Sequence, residues 1–118
     1  MTRFVALYRM PADVEGFDHD YRHTHLPLVA ATPGLVRVEV SRVRRTVLGE
    51  PQVHLMAVMH FADGAAFKAA MGSPEWAAAG RNLAEIGGVE LATMFVLEEA
   101  EVTDLSGTAA PSGDLMTD

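Results

Sequence analysis

Three stretches of this chain are apolar at both odd and even positions, and this limits its possible folds more than any other feature. In residues 3–9, Phe4, Ala6 and Tyr8 alternate with Val5 and Leu7. In 52–61, Val53, Leu55, Ala57, Met59 and Phe61 alternate with Met56 and Val58, and His54 and His60 share the second parity. In 89–98, Val89, Leu91, Phe95 and Leu97 alternate with Ala92, Met94 and Val96. Successive side chains of a strand point to opposite faces, so a strand apolar at both parities has to be covered on both sides. A fourth segment, 35–47, alternates more simply, with Val36, Val38 and Val40 against Arg37, Glu39 and Ser41.

Two helical segments separate these strands. The first runs from about 13 to 31, with Asp13 as its cap. Val14, Phe17, Tyr21, His25, Leu28 and Val29 share one stripe at helical spacing, and His19 and His23 fall on the opposite face. Pro27 has no N–H for the carbonyl of His23, which predicts a kink near His25 to Pro27. The second segment has Asp63 capping a short helix with Phe67 and Met71. Helix then restarts at Ser73-Pro74-Glu75, and Trp76, Ala79, Gly80, Leu83 and Ile86 follow. Thr32-Pro33-Gly34, Gly49-Glu50-Pro51 and Gly87-Gly88 are the turns.

The element order is therefore β-α-β-β-α-β, the α+β, ferredoxin-like arrangement: a four-stranded antiparallel sheet with strands 1 and 3 central and both helices on one face. One layer of helices cannot cover two apolar faces. An uncovered greasy face is unusual for a monomer, so the pattern predicts a homodimer packed sheet to sheet. Residues 1–100 form the domain. Residues 101–118, increasingly rich in Ser, Gly, Thr, Ala, Pro and Asp, are expected to be a tail, flexible unless a partner holds it.

Composition removes several classes of function. With 118 residues and 49% hydrophobic content, the chain suits one globular domain. It has no cysteine, which excludes disulfides, thiolate metal sites and a thiol nucleophile. The net charge of −7 argues against nucleic acid as a partner. Residues 1–60 hold 7 Arg against 6 acidic residues, whereas 61–118 hold 2 basic against 10 acidic. Arg42, Arg44 and Arg45 form the basic cluster, read as a solvated strand end or an anion clamp. No apolar run is long enough for a membrane span, and the start lacks a signal-peptide pattern, so a cytoplasmic location is expected.

The segment Phe17-Asp18-His19-Asp20-Tyr21-Arg22-His23-Thr24-His25-Leu26-Pro27-Leu28, with its Tyr-x-x-x-His-x-Pro-Leu spacing, resembles the signature of the EthD family, named from ethyl tert-butyl ether degradation clusters. Pro33-Gly34-Leu35, Phe61-Ala62-Asp63 and Ser73-Pro74-Glu75-Trp76 resemble its later landmarks, and the likeness covers residues 3–98. It implies a dimeric α+β barrel. The wider superfamily includes cofactor-free monooxygenases of aromatic polyketides, cyclases, dehydratases and isomerases, and some branches bind haem. Fold alone does not choose among these.

His25 is the leading catalytic candidate. It lies on the inward stripe one turn after Tyr21, where a neutral imidazole can exchange a proton near neutral pH; the competing reading is a helix-end His bonded to a free carbonyl. Glu39 can orient or protonate His25 only if its strand face points to the helices; otherwise Arg37 and Glu39 form a surface pair. Tyr8, Tyr21 and Trp76 are candidate walls of a substrate pocket. Arg37 and His60 complete the candidate set, with His60 facing either the cavity or the dimer interface. Met56, Met59 and Met94 suit an adaptable pocket or core filler. His19 and His23 have the spacing of a two-His metal site but lack a third ligand, so no metal is assigned. The resulting expectation is a cofactor-independent enzyme acting on a small aromatic, polyketide-like or conjugated substrate. The alternatives are a non-catalytic dimeric carrier of a hydrophobic metabolite and a haem binder.

Overall fold

In the computed structural model of the chain, which describes residues 1–105, four strands form one antiparallel sheet in the order β2-β3-β1-β4. They are β1 (Thr2–Arg9), β2 (Leu35–Arg42), β3 (Val53–Phe61) and β4 (Ala92–Leu97). Strands 1 and 3 are central, as the element order predicts. The expected tail falls mostly on 106–118, outside the described residues; 101–105 carry no helix or strand.

The helices are α1 (Val14–Asp20), α2 (Leu26–Ala30), α3 (Gly64–Met71) and α4 (Pro74–Glu85). The side chains of Asp13, Asp63 and Ser73 accept the N–H groups of Gly16, Ala66 and Trp76 at 3.0, 2.8 and 3.1 Å, so each long segment starts at its capping residue. The helical layer and the sheet enclose one core, with Tyr8, Tyr21 and Phe61 fully buried and Phe17, Leu55, Met59 and Leu83 around them.

Pro27 acts one turn earlier than a simple kink would. Between α1 and α2, Tyr21–His25 form a single wide π-turn, closed by the Leu26 N–H donating to the carbonyl of Tyr21. Proline withholds the bond that would continue the tighter spiral, and the chain takes up one extra residue there. Both Tyr21 and His25 end up buried on the core side.

Four details differ from the sequence expectation. The second strand stops at Arg42, and the last begins only at Ala92, after a 3₁₀ turn at Val89–Leu91. Val36 is an extra residue, since Leu35 pairs with Phe61 and Arg37 with His60, and it is exposed rather than aligned with Val38 and Val40. His54 is likewise an extra residue, because Tyr8 pairs with Leu55 and Arg9 with Val53. A bulge re-aims a side chain. His54 therefore parts from the face of His60 and meets Asp18 of α1, with Nε2 and Oδ1 2.7 Å apart.

Candidate functional site

A cavity of about 390 Å³ lies between the sheet and the helices. Phe4 and Tyr8 of β1, Met59 of β3, and Ala92 and Met94 of β4 line it from the sheet. His25, Val29 and, from α4, Trp76, Ala79, Gly80 and Leu83 line it from the helices, with Val89 from the 3₁₀ turn. Met94 and Val89 are exposed and mark the mouth, at the β4 edge of the sheet. Gly80 adds room, since a side-chain carbon there would meet nothing within 4 Å.

The walls are aromatic and uncharged. Trp76 meets Phe4 edge-on at 5.3 Å between ring centres, and Tyr8 meets Tyr21 edge-on at 5.2 Å. Tyr21 stands behind the cavity wall, 5.0 Å from the His25 ring. Burial raises the proton affinity of both phenols; Tyr21 lowers Tyr8 slightly, and Tyr8 raises Tyr21 further.

His25 is only 4% exposed. Burial lowers its proton affinity below that of an ordinary histidine, and the Asn82 side chain on α4 pulls the other way. The ring is thus neutral at neutral pH. Its Nδ1 is buried without a hydrogen-bond partner, as is Asn82 Oδ1. No free carbonyl claims the imidazole, so the helix-end reading of His25 does not hold.

Tyr8, His25 and Trp76 are brought together at the cavity, with Tyr21 behind them. Glu39, Arg37 and His60 are not. β2 presents Val38 and Val40 to the core, so Arg37 and Glu39 point to the opposite sheet face. There Glu39 lies 2.9 Å from His60 Nε2 and 3.4 Å from Arg37. The sheet separates Glu39 from His25, so it cannot orient or protonate that ring, and Arg37 and His60 do not line the cavity. Met59 and Met94 line it, whereas Met56 lies on the other parity of β3.

Asn82 is the polar neighbour the sequence reading missed. The apolar stripe of α4 runs through Ala79, Leu83 and Ile86, and an amide three residues after Ala79 falls on its margin. A second polar cluster, in which Asp18 meets both His54 and Arg42, encloses no comparable cavity; it ties α1 to the β2–β3 hairpin. His19 and His23 stack at 4.4 Å on the exposed side, and no group of three metal-ligating side chains occurs among the described residues. No helix among them is long and apolar enough to cross a membrane.

Known proteins place this arrangement. An EthD family protein of Bacillus halodurans is 33% identical and superposes with a TM-score of 0.78, over 85% of this chain and 99% of that one. SnoaB, a cofactor-independent oxygenase of Streptomyces nogalater, is 18% identical with a TM-score of 0.58, over 86% and 94% of the two chains. A dimeric ferredoxin-like protein of unknown function from Jannaschia is 17% identical with a TM-score of 0.63, over 84% and 100%. The last two share the fold. No curated protein sequence matches. Residues 9–85 match the EthD domain, a span that holds Tyr21, His25, Pro27 and Trp76; with the Bacillus likeness, this makes the chain a member of the EthD family.

Proposed function

We propose that the chain is a small cofactor-independent enzyme in which His25 serves as general acid and base on an uncharged aromatic, polyketide-like or otherwise conjugated molecule. One observation carries this reading: a single neutral imidazole set into the wall of an otherwise apolar cavity. Such a group is ready to accept a proton at neutral pH. The Phe4 and Trp76 rings suit a flat ligand. No lining side chain carries a fixed charge. A carboxylate or phosphate entering the cavity would be desolvated without a partner, which favours neutral substrates.

In the first step an acidic C–H or O–H bond of the substrate breaks. Its electron pair stays on the substrate as a delocalised anion, and the proton moves to the imidazole. The anion then reacts with dioxygen, loses water, cyclises or isomerises, according to the substrate. SnoaB, a cofactor-independent oxygenase of the same fold, lends weight to the oxygenation branch. The test is turnover of a panel of neutral phenols and anthrones, followed by absorbance and oxygen uptake. His25→Gln should lower kcat about 10²–10⁴-fold while thermal unfolding and ligand binding persist. Undiminished turnover by that variant, or binding without turnover by the wild type, overturns the reading; the second result leaves a carrier.

The reading includes a homodimer formed through the sheet face that no helix covers. Val5, Leu7, Val58 and Phe95 lie on that face, and Phe95 is 39% exposed. Glu39, His60 and Arg37 would then border the partner. The Jannaschia protein of the same fold is described as dimeric. Sedimentation should give twice the chain mass at micromolar concentration, and the single-chain mass would exclude the interface.

A further inference from the structure

We infer that Asn82 is a positioning residue for His25: its side-chain oxygen accepts a hydrogen bond from Nδ1–H and keeps the proton on Nδ1, so that Nε2 is the unprotonated nitrogen offered to the cavity. The inference builds on His25 as the base but concerns a different residue and a different observable.

Three buried side-chain atoms lack a hydrogen-bond partner among the described residues: His25 Nδ1, Asn82 Oδ1 and Thr32 Oγ1. The first two belong to elements packed against each other, the π-turn and α4, and the Asn82 side chain acts on the His25 ring. They are also complementary. An amide oxygen only accepts, whereas an imidazole nitrogen donates when it carries the proton. Leaving either atom unpaired in the interior would cost about 1–3 kcal/mol, so a small closing movement of the two side chains is favoured. Asn82 Nδ2 is not one of the buried unpaired atoms, so the oxygen is the atom of the amide that is left wanting a partner.

His25 Nε2 completes the argument. It has no hydrogen bond to the protein, yet it is not one of the buried unpaired atoms either. It therefore keeps accessible surface, and His25 lines the cavity. Once Nδ1 holds the proton, the Nε2 lone pair is free to take another from a bound molecule. The Asn82 oxygen then faces the imidazolium that forms and stabilises it without adding a charge to the resting site. The other titratable groups near the ring are Tyr21, one turn back, and Tyr8, across the cavity wall. No charged side chain contributes to its shift.

The experiment is ¹⁵N NMR of histidine-labelled, ligand-free full-length protein, with His25 assigned by its loss in His25→Gln. The wild type should show His25 protonated at Nδ1 and bare at Nε2. Asn82→Ala should mix the two tautomers and lower the pKa of His25. Asn82→Asp should raise that pKa by about one unit or more, because a carboxylate now faces the ring. Asn82→Gln should restore part of the wild-type tautomer preference. A wild-type ring protonated at Nε2, or a tautomer and pKa untouched by Asn82→Ala, overturns the inference. Either result leaves the base role open to its own turnover test, and full turnover by His25→Gln would remove the base role without touching the tautomer result.

Discussion

The two faces of one sheet hold an imidazole in opposite ways. On the covered face, His25 has aromatic neighbours, one amide and no carboxylate, and burial holds its proton affinity down. On the open face, His60 has the Glu39 carboxylate 2.9 Å from Nε2, and Arg37 lies beside the same acid. The hydrogen bond from His60 and the charge of Arg37 hold the Glu39 carboxyl below the usual range. The shielded ring lines the cavity, whereas the ring beside the carboxylate lies on the other side of the sheet from it. The proposed proton chemistry rests on the covered face, and the proposed interface on the open one, with its apolar centre and polar, paired margin.

The sharpest way to break this comparison is to damage each face once. Phe17 packs between Tyr8 and Tyr21, with ring centres 5.8 and 5.7 Å away. Phe17→Ala should cost about 3–5 kcal/mol of subunit stability, read from the urea midpoint at fixed protein concentration. Val58 sits on the open face, paired across the strands with Val5. Val58→Lys should change subunit folding by only about 1 kcal/mol. It should weaken association by about 2 kcal/mol or more, roughly thirtyfold in dissociation constant by sedimentation. Unchanged association in Val58→Lys would rule out the open face as the proposed dimer interface.

How much of this was legible in the chain follows from which forces act locally. Capping by Asp13, Asp63 and Ser73 is short-range, and those helices begin where the residues indicate. The element order with right-handed crossovers placed β1 and β3 at the centre, whereas two-sided apolarity did not separate them from β4, an edge strand that shares it. The stripe through Phe17, Tyr21 and His25 survived the π-turn because the extra residue is taken up while both Tyr21 and His25 stay inward. Bulges were not legible: nothing local to Val36 or His54 marks them as unpaired, because a bulge is a mismatch between two strands distant in sequence. The side taken by Glu39 depended on which parity of β2 reached the helices, a tertiary fact. Asn82 was overlooked because amphipathic reading follows apolar residues and passes over a polar one at the edge of the stripe.

The smallest expected effect separates the faces by pH. His25 has a folded-state pKa below the ordinary 6.5, so as pH falls through that value the unfolded chain takes up a proton that the folded one refuses. Its destabilising effect is absent above pH 6.5 and grows down to the folded pKa. Glu39 has the opposite history: its folded pKa is below the ordinary 4.5, so its contribution is whole above 4.5 and is lost as pH falls through the folded value. Asp18 adds to that lower window. Burial alone would raise it, but hydrogen bonds from His54 and Arg42 bring it down. Because several acids share the lower window, the comparison has to be variant against wild type, by urea unfolding at fixed protein concentration. Between about pH 7.5 and 5.5, His25→Gln should lose less stability than the wild type, since glutamine takes up no proton in either state. Glu39→Gln should part from the wild type below about pH 4.5, where the wild type loses the contribution of its paired carboxylate and the variant has none to lose. If Glu39→Gln ran parallel to the wild type through that lower window, the carboxylate would add no paired charge to the open face, and the contrast between the two faces would fail.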